Sequence, residues 1–213
     1  MLDWTRYVPT LVFGLPELLD FSKWRRLFRI VLPHFYLSAA VILTAASMFF
    51  TPLPTYFQSI QLSESMIYLL FIVHNLTATV TFIFDRMISS RANEQRLVYL
   101  ALLVRFVAFF SFSIASIMGA FVGRGWIISI FLVFTGASWA LFWAPLSSYL
   151  SKIADQHRLG EAQGALNASV AVGSILGSLT SGYLIVISSY QLNFLISSLV
   201  VLAGLFLFLR VKV

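Results

Sequence analysis

Residues 191–209 read Gln-Leu-Asn-Phe-Leu-Ile-Ser-Ser-Leu-Val-Val-Leu-Ala-Gly-Leu-Phe-Leu-Phe-Leu, without one charged side chain. A helix rises about 1.5 Å per residue, so a stretch of this length crosses the roughly 30 Å hydrocarbon layer of a bilayer. Five more apolar runs lie upstream, at 31–57, 65–84, 97–120, 126–150 and 161–187. Together they predict an all-α membrane protein, with a six-helix transmembrane bundle over residues 31–213. Residues 1–30 form a separate region.

Composition agrees. Hydrophobic residues make up 60% of the chain and charged residues 10%, against about 25% charged in a soluble domain. A net charge of +6 would suggest a nucleic-acid partner in a soluble protein. Here the bilayer is the expected partner, and nucleic acid is not. There is no cysteine, which removes disulfides, thiolate metal sites and thiol catalysis. No cleavable signal peptide is expected, because the opening apolar stretch is interrupted by Pro9 and Pro16 and has only Arg6 as a basic residue.

The basic residues set an orientation. Arg6, Lys23, Arg25, Arg26 and Arg29 precede the first run; Arg86, Arg91 and Arg96 separate the second from the third. Lys152 and Arg158 follow the fourth, and Arg210 and Lys212 follow the sixth. Only Arg124 falls in the alternate connections, and Arg105 lies inside the third run. The positive-inside rule therefore places both termini in the cytoplasm, as an even number of spans also requires. Within residues 1–30, Phe21, Trp24, Leu27 and Phe28 recur at helical spacing among basic residues. That segment reads either as an amphipathic helix in the cytoplasmic headgroup layer or as a linker into the first span.

An internal repeat runs through the chain. Phe49-Phe-Thr-Pro-Leu-Pro-Thr-Tyr56 matches Phe142-Trp-Ala-Pro-Leu-Ser-Ser-Tyr149 at a constant offset of 93. The two copies end the first and fourth spans, which the alternating topology sends to opposite faces. This pattern predicts two inverted three-helix repeats, an arrangement characteristic of secondary transporters. The alternative is that aromatic-Pro-Leu simply ends a helix near the interface. The same offset pairs His74 with Asn167. Polar groups at membrane depth usually face protein or a water-filled cavity.

Three motifs carry a family resemblance: Thr51-Pro-Leu-Pro-Thr-Tyr56, the loop Phe84-Asp85-Arg86-(x)4-Arg91, and Asp155-Gln-His-Arg158-Leu-Gly160-Glu161-Ala-Gln-Gly164-Ala-Leu-Asn167 ahead of a Gly/Ser-rich fifth span. Over about residues 20–210 the chain resembles the C-terminal six-helix half of a major facilitator superfamily (MFS) transporter. The Asp85 loop departs from the family pattern, with Thr81 in place of a glycine and Ile88-Ser89-Ser90 in place of Gly-Arg-Arg. The resemblance implies a carrier of a small-molecule substrate, working by alternating access between two six-helix halves in the plasma membrane. The partner would be a second half or, in a homodimer, a second copy. It further implies that the first and fourth spans line the central cavity, that the third is peripheral, and that Asp85 and Arg86 make a gating contact. A topology-setting charge cluster is the other reading of Asp85, Arg86 and Arg158.

Substrate or coupling candidates follow. His74 and Asn75 sit near mid-membrane, where a histidine can bind substrate or carry a proton; a neutral imidazole bonded to a neighbouring helix is the alternative. Trp139 and Trp143 stand one helical turn apart and share a face, suited to a partly apolar organic solute or to a cation over an indole, or simply to packing. Asn167 completes the set. Arg105 is expected to snorkel toward the cytoplasmic headgroups. Gly173-x-x-x-Gly177 permits close helix approach.

Rival functions fare less well on motifs. An intramembrane hydrolase needs a serine nucleophile beside a histidine, and Gly177-Ser-Leu-Thr-Ser-Gly182 has the wrong spacing for a nucleophile elbow. No His-Glu-x-x-His or cysteine set supports zinc. No enzyme activity, cofactor or metal is expected. A non-transporting membrane subunit or a truncated half remains the main alternative to a carrier.

Overall fold

The computed structural model describes residues 33–89, 93–121, 124–154 and 156–211, with the backbone alone at 33 and 85–89. The amphipathic segment expected within residues 1–30 lies outside these residues. Among the described residues are α1 (Pro33–Phe50), the short α2 (Leu53–Ser59), α3 (Glu64–Ser89), α4 (Glu94–Ile117), α5 (Gly125–Ile153), α6 (Leu159–Ile187) and α7 (Tyr190–Leu209), with a 3-10 turn at Gln156–Arg158. Among the described residues, six spans are long and apolar enough to cross a membrane, counting α1 with α2 as one.

Local chemistry sets the ends. Asn93 and Ser189 adopt extended backbone and accept from the amides of Gln95 (2.9 Å) and Leu192 (3.2 Å), capping α4 and α7. Gly119, at φ 66°, ends α4: its amide reaches the Ser116 carbonyl and the Ala120 amide reaches the Ala115 carbonyl. The first span is not one continuous helix as the apolar run 31–57 suggests. It breaks at Thr51–Pro52 because a proline has no amide hydrogen and its ring crowds the preceding turn. The Met48 carbonyl, which would bond an amide at position 52, instead accepts from Asn193 Nδ2 at 2.7 Å.

α1 packs on α6 and α7, α3 on α5, and α4 on α5 and α7. Exchange the triplet α1, α3, α4 for α5, α6, α7. The pair α1–α6 becomes α5–α3, α1–α7 becomes α5–α4, and α4–α7 is unchanged. The packing scheme is thus invariant under the exchange the repeat predicts. Its two proline motifs lie toward opposite ends of the bundle: Pro52 breaks the first span, whereas Pro145 sits inside the unbroken α5. Tyr56 accepts from the Ser116 hydroxyl at 2.6 Å and packs near Tyr190; Tyr149 packs near Phe35 and Phe208, and Lys152 pairs with Glu94.

Two aromatic layers fill the interior among the described residues, one toward each end of the bundle. Phe49, Phe109, Phe112 and Phe194 form one, with Phe49 and Phe109 stacked at 3.8 Å; Phe35, Tyr36, Tyr149 and Phe208 belong to the other. Glycines set the closest crossings. A Cβ at Gly173 would lie 2.2 Å from the Ala40 carbonyl oxygen, and one at Gly177 would lie 2.3 Å from that of Thr44. A Cβ at Gly136 would lie 2.4 Å from the His74 carbonyl oxygen. Backbone therefore meets backbone where α6 crosses α1 and where α5 crosses α3.

Candidate functional site

The crossing at Gly136 brings α3 against α5 and so positions His74. Its Nδ1 lies 3.3 Å from the Leu132 carbonyl and 3.1 Å from Thr135 Oγ1. A carbonyl only accepts, so Nδ1 carries a hydrogen and donates. The Thr135 hydroxyl in turn donates to the same carbonyl at 3.0 Å. Nε2 is left without a partner among the described residues. It is the nitrogen that changes between acceptor and donor when the ring gains a proton.

His74 also lines a cavity of about 350 Å³. Ser47, Phe50 and Thr51 of the first span, Asn75 of α3, Trp139 of α5 and Ser174 of α6 share its wall. Two helices from each triplet therefore contribute. Phe50 packs against the imidazole with ring centroids 4.9 Å apart. The Thr51 and Ser178 hydroxyls share a hydrogen bond of 3.1 Å between the first span and α6. A second cavity of about 330 Å³, between α4 and α5, is lined by apolar groups and Ser111. It has no titratable or amide side chain with which to select a polar solute.

Of the remaining candidates, Asn75 and Trp139 share the cavity wall with His74, and the other described side chains lie apart from it. Asn75 is exposed, and its amide nitrogen donates to the Phe71 carbonyl of its own helix at 2.9 Å. Trp139 and Trp143 meet edge to face at 5.7 Å, but Trp143 is absent from the cavity wall and packs against Phe142. Asn167 is exposed and lies outside the cavity. It is two helical turns before Ser174, hence on the same face of α6, about 10 Å along the axis. Arg158 bonds Glu161, one turn on, at 2.9 Å. Asp85 and Arg86 belong to the last turns of α3, with side chains outside the described residues.

Arg105 does not snorkel. It is 1% exposed, with its guanidinium carbon 5.2 Å from the Trp139 ring centroid and 5.0 Å from that of Phe142. Its Nε donates to Ser138 Oγ at 3.4 Å and its Nη2 to the Ser138 carbonyl at 3.3 Å. Snorkelling needs an open path along the helix to the headgroups; α5 packs over this face of α4 and closes it. The Ser138 hydroxyl donates to the Thr135 carbonyl at 2.8 Å, which links Arg105 to the residue that holds His74.

Sequence reasoning missed Gly136, Thr135 and Asn193. A lone glycine in an apolar run signals little. A proline inside a span, however, implies an orphaned carbonyl one turn earlier, and the asparagine in residues 191–209 was a candidate donor for it.

A family model described as Major Facilitator Superfamily matches residues 35–213. No curated protein matches the chain.

Proposed function

Because this chain belongs to the major facilitator superfamily, a family of transporters, we propose that it is one half of a secondary active carrier of a small solute. The wall formed by α1, α3, α5 and α6 would be its substrate-facing surface. The observation that carries this reading is the cavity itself: both triplets build it, and it presents an imidazole, an amide and three hydroxyls between the spans. Alternating access by rocking of repeat-built bundles needs a site at such a junction.

The partner is a second six-helix unit, either a different half or a second copy. Support comes from α3 and α6, the least enclosed spans, each with 17% of its apolar window buried. They flank the cavity, and Tyr68, Leu69 and Ile72 on α3, with Ile175, Leu176 and Leu179 on α6, are exposed. Cross-linking in native membranes should capture a two-unit species; exclusive recovery of single units would remove this part of the reading.

The termini face the cytoplasm of the plasma membrane in this proposal. Arg96, Lys152, Arg158 and Arg210 gather at one end of the bundle and Arg124 at the other, which suits that orientation. A carrier is favoured over a hydrolase because members of this superfamily are transporters, and the Thr135 hydroxyl bonded to His74 is buried and engaged with the Leu132 carbonyl. His74 is the coupling candidate, since one nitrogen is anchored and the other is open. In proteoliposomes loaded with a pH dye, some member of a broad panel of organic solutes should change the internal pH, and His74→Gln should abolish that change while leaving counterflow of the same solute. If no solute moves, the carrier reading fails.

A further inference from the structure

The formal charge nearest the cavity is positive, and no described carboxylate lies beside it. Arg105 sits behind Trp139, which lines the cavity; among the described residues its polar and ring contacts are Ser138, Trp139 and Phe142. Its Nη1 is buried without a hydrogen-bond partner among the described residues. Glu94 pairs with Lys152 and Glu161 with Arg158 at one end of the bundle, and Glu64 opens α3 at the other. His74, the titratable group on the cavity wall, can add only further positive charge. A buried ion with no counter-ion is costly in a low-dielectric interior, and its field reaches neighbouring sites with little screening.

We infer that the solute taken by this cavity carries a carboxylate or a similar oxyanion, with Arg105 as the counter-charge acting through the Trp139 wall. The inference rests on the carrier reading above and supplies its substrate class. Arg105 does not touch the cavity; it sets the potential there. A cation stacked on Trp139, which the paired tryptophans suggest from sequence, would meet a guanidinium already placed over that ring. A unit charge about 10 Å away, at an effective dielectric near 20, changes affinity by about tenfold or more.

The test uses the two-unit species purified from native membranes, in proteoliposomes, and two matched triplets of solutes. One is phenylacetate, phenylacetamide and phenethylammonium; the other is butyrate, butyramide and butylammonium. Binding is read by tryptophan fluorescence. The carboxylate should bind best within each triplet that binds. Arg105→Gln should weaken it at least about tenfold while leaving the amide unchanged, and Arg105→Lys should keep the preference. Asn75→Asp, which adds a negative charge to the cavity wall at nearly constant size, should also weaken the carboxylate selectively. It decides the matter if Arg105→Gln does not fold. Preference for the ammonium or amide, a carboxylate preference untouched by Asn75→Asp, or no binding in either triplet overturns the inference. Transport of neutral or cationic solutes would overturn it while sparing the carrier reading; anion binding without transport of any solute would do the reverse.

Discussion

Gly173 and Gly182 lie on the same helix, and their surroundings differ. A methyl group on Gly173 would press on the backbone carbonyl of Ala40, which cannot move without shifting α1, whereas one on Gly182 meets nothing within 4 Å. Gly173→Ala should therefore lower stability by about 1–3 kcal/mol, the usual cost of overpacking. Gly182→Ala should stay within about 1 kcal/mol of the parent and can raise stability through helix propensity. Thermal melts in detergent, read by size-exclusion, separate the two; equal melting temperatures would show that the α1–α6 crossing is looser than its geometry. The glycine spacing itself was legible in the sequence. Which of the glycines of α6 face a neighbouring backbone was not.

The broken first span couples one helix to another. Pro52 orphans the Met48 carbonyl, and Asn193, fully buried on α7, supplies the missing donor. Asn193→Ala should cost about 1–3 kcal/mol, the penalty of leaving a buried acceptor unsatisfied. Pro52→Ala restores an amide at that position, so in its background Asn193→Ala should cost at least about 0.5 kcal/mol less. A double-mutant cycle on melting temperature checks this. Additive losses would mean that the two residues act separately. The proline motif was legible in the sequence as the end of the first span; the break within that span and its partner, far along the chain, were matters of the folded structure.

For the whole molecule, the repeat and the charge asymmetry make one topological prediction. Because the chain has no cysteine, single-cysteine variants report position cleanly. Gln61→Cys, in the turn after α2, should react with an impermeant maleimide added outside intact cells. Gln156→Cys, between α5 and α6, should react only after permeabilisation. Labelling of both from outside would refute the inverted arrangement and the cytoplasmic placement of the termini together. The resemblance, the six spans and the opposed proline motifs were all readable before any coordinates. The cavity was readable in part: His74, Asn75 and Trp139 line it, whereas Asn167 and Trp143 do not.

By itself the sequence determined the number of spans, their alternation and the family, because hydropathy, charge placement and short motifs are local properties that add along a chain. Only the tertiary structure decided which faces meet, and with them the burial of Arg105, the anchoring of His74 Nδ1 and the bond from Asn193 to Met48. The reason is physical. Lipid tails are as apolar as a protein interior, so a membrane helix carries little of the polar-apolar stripe that marks the inward face of a soluble one. Contact faces are then chosen by glycines, prolines and stray polar groups, and each takes its meaning from the helix packed opposite.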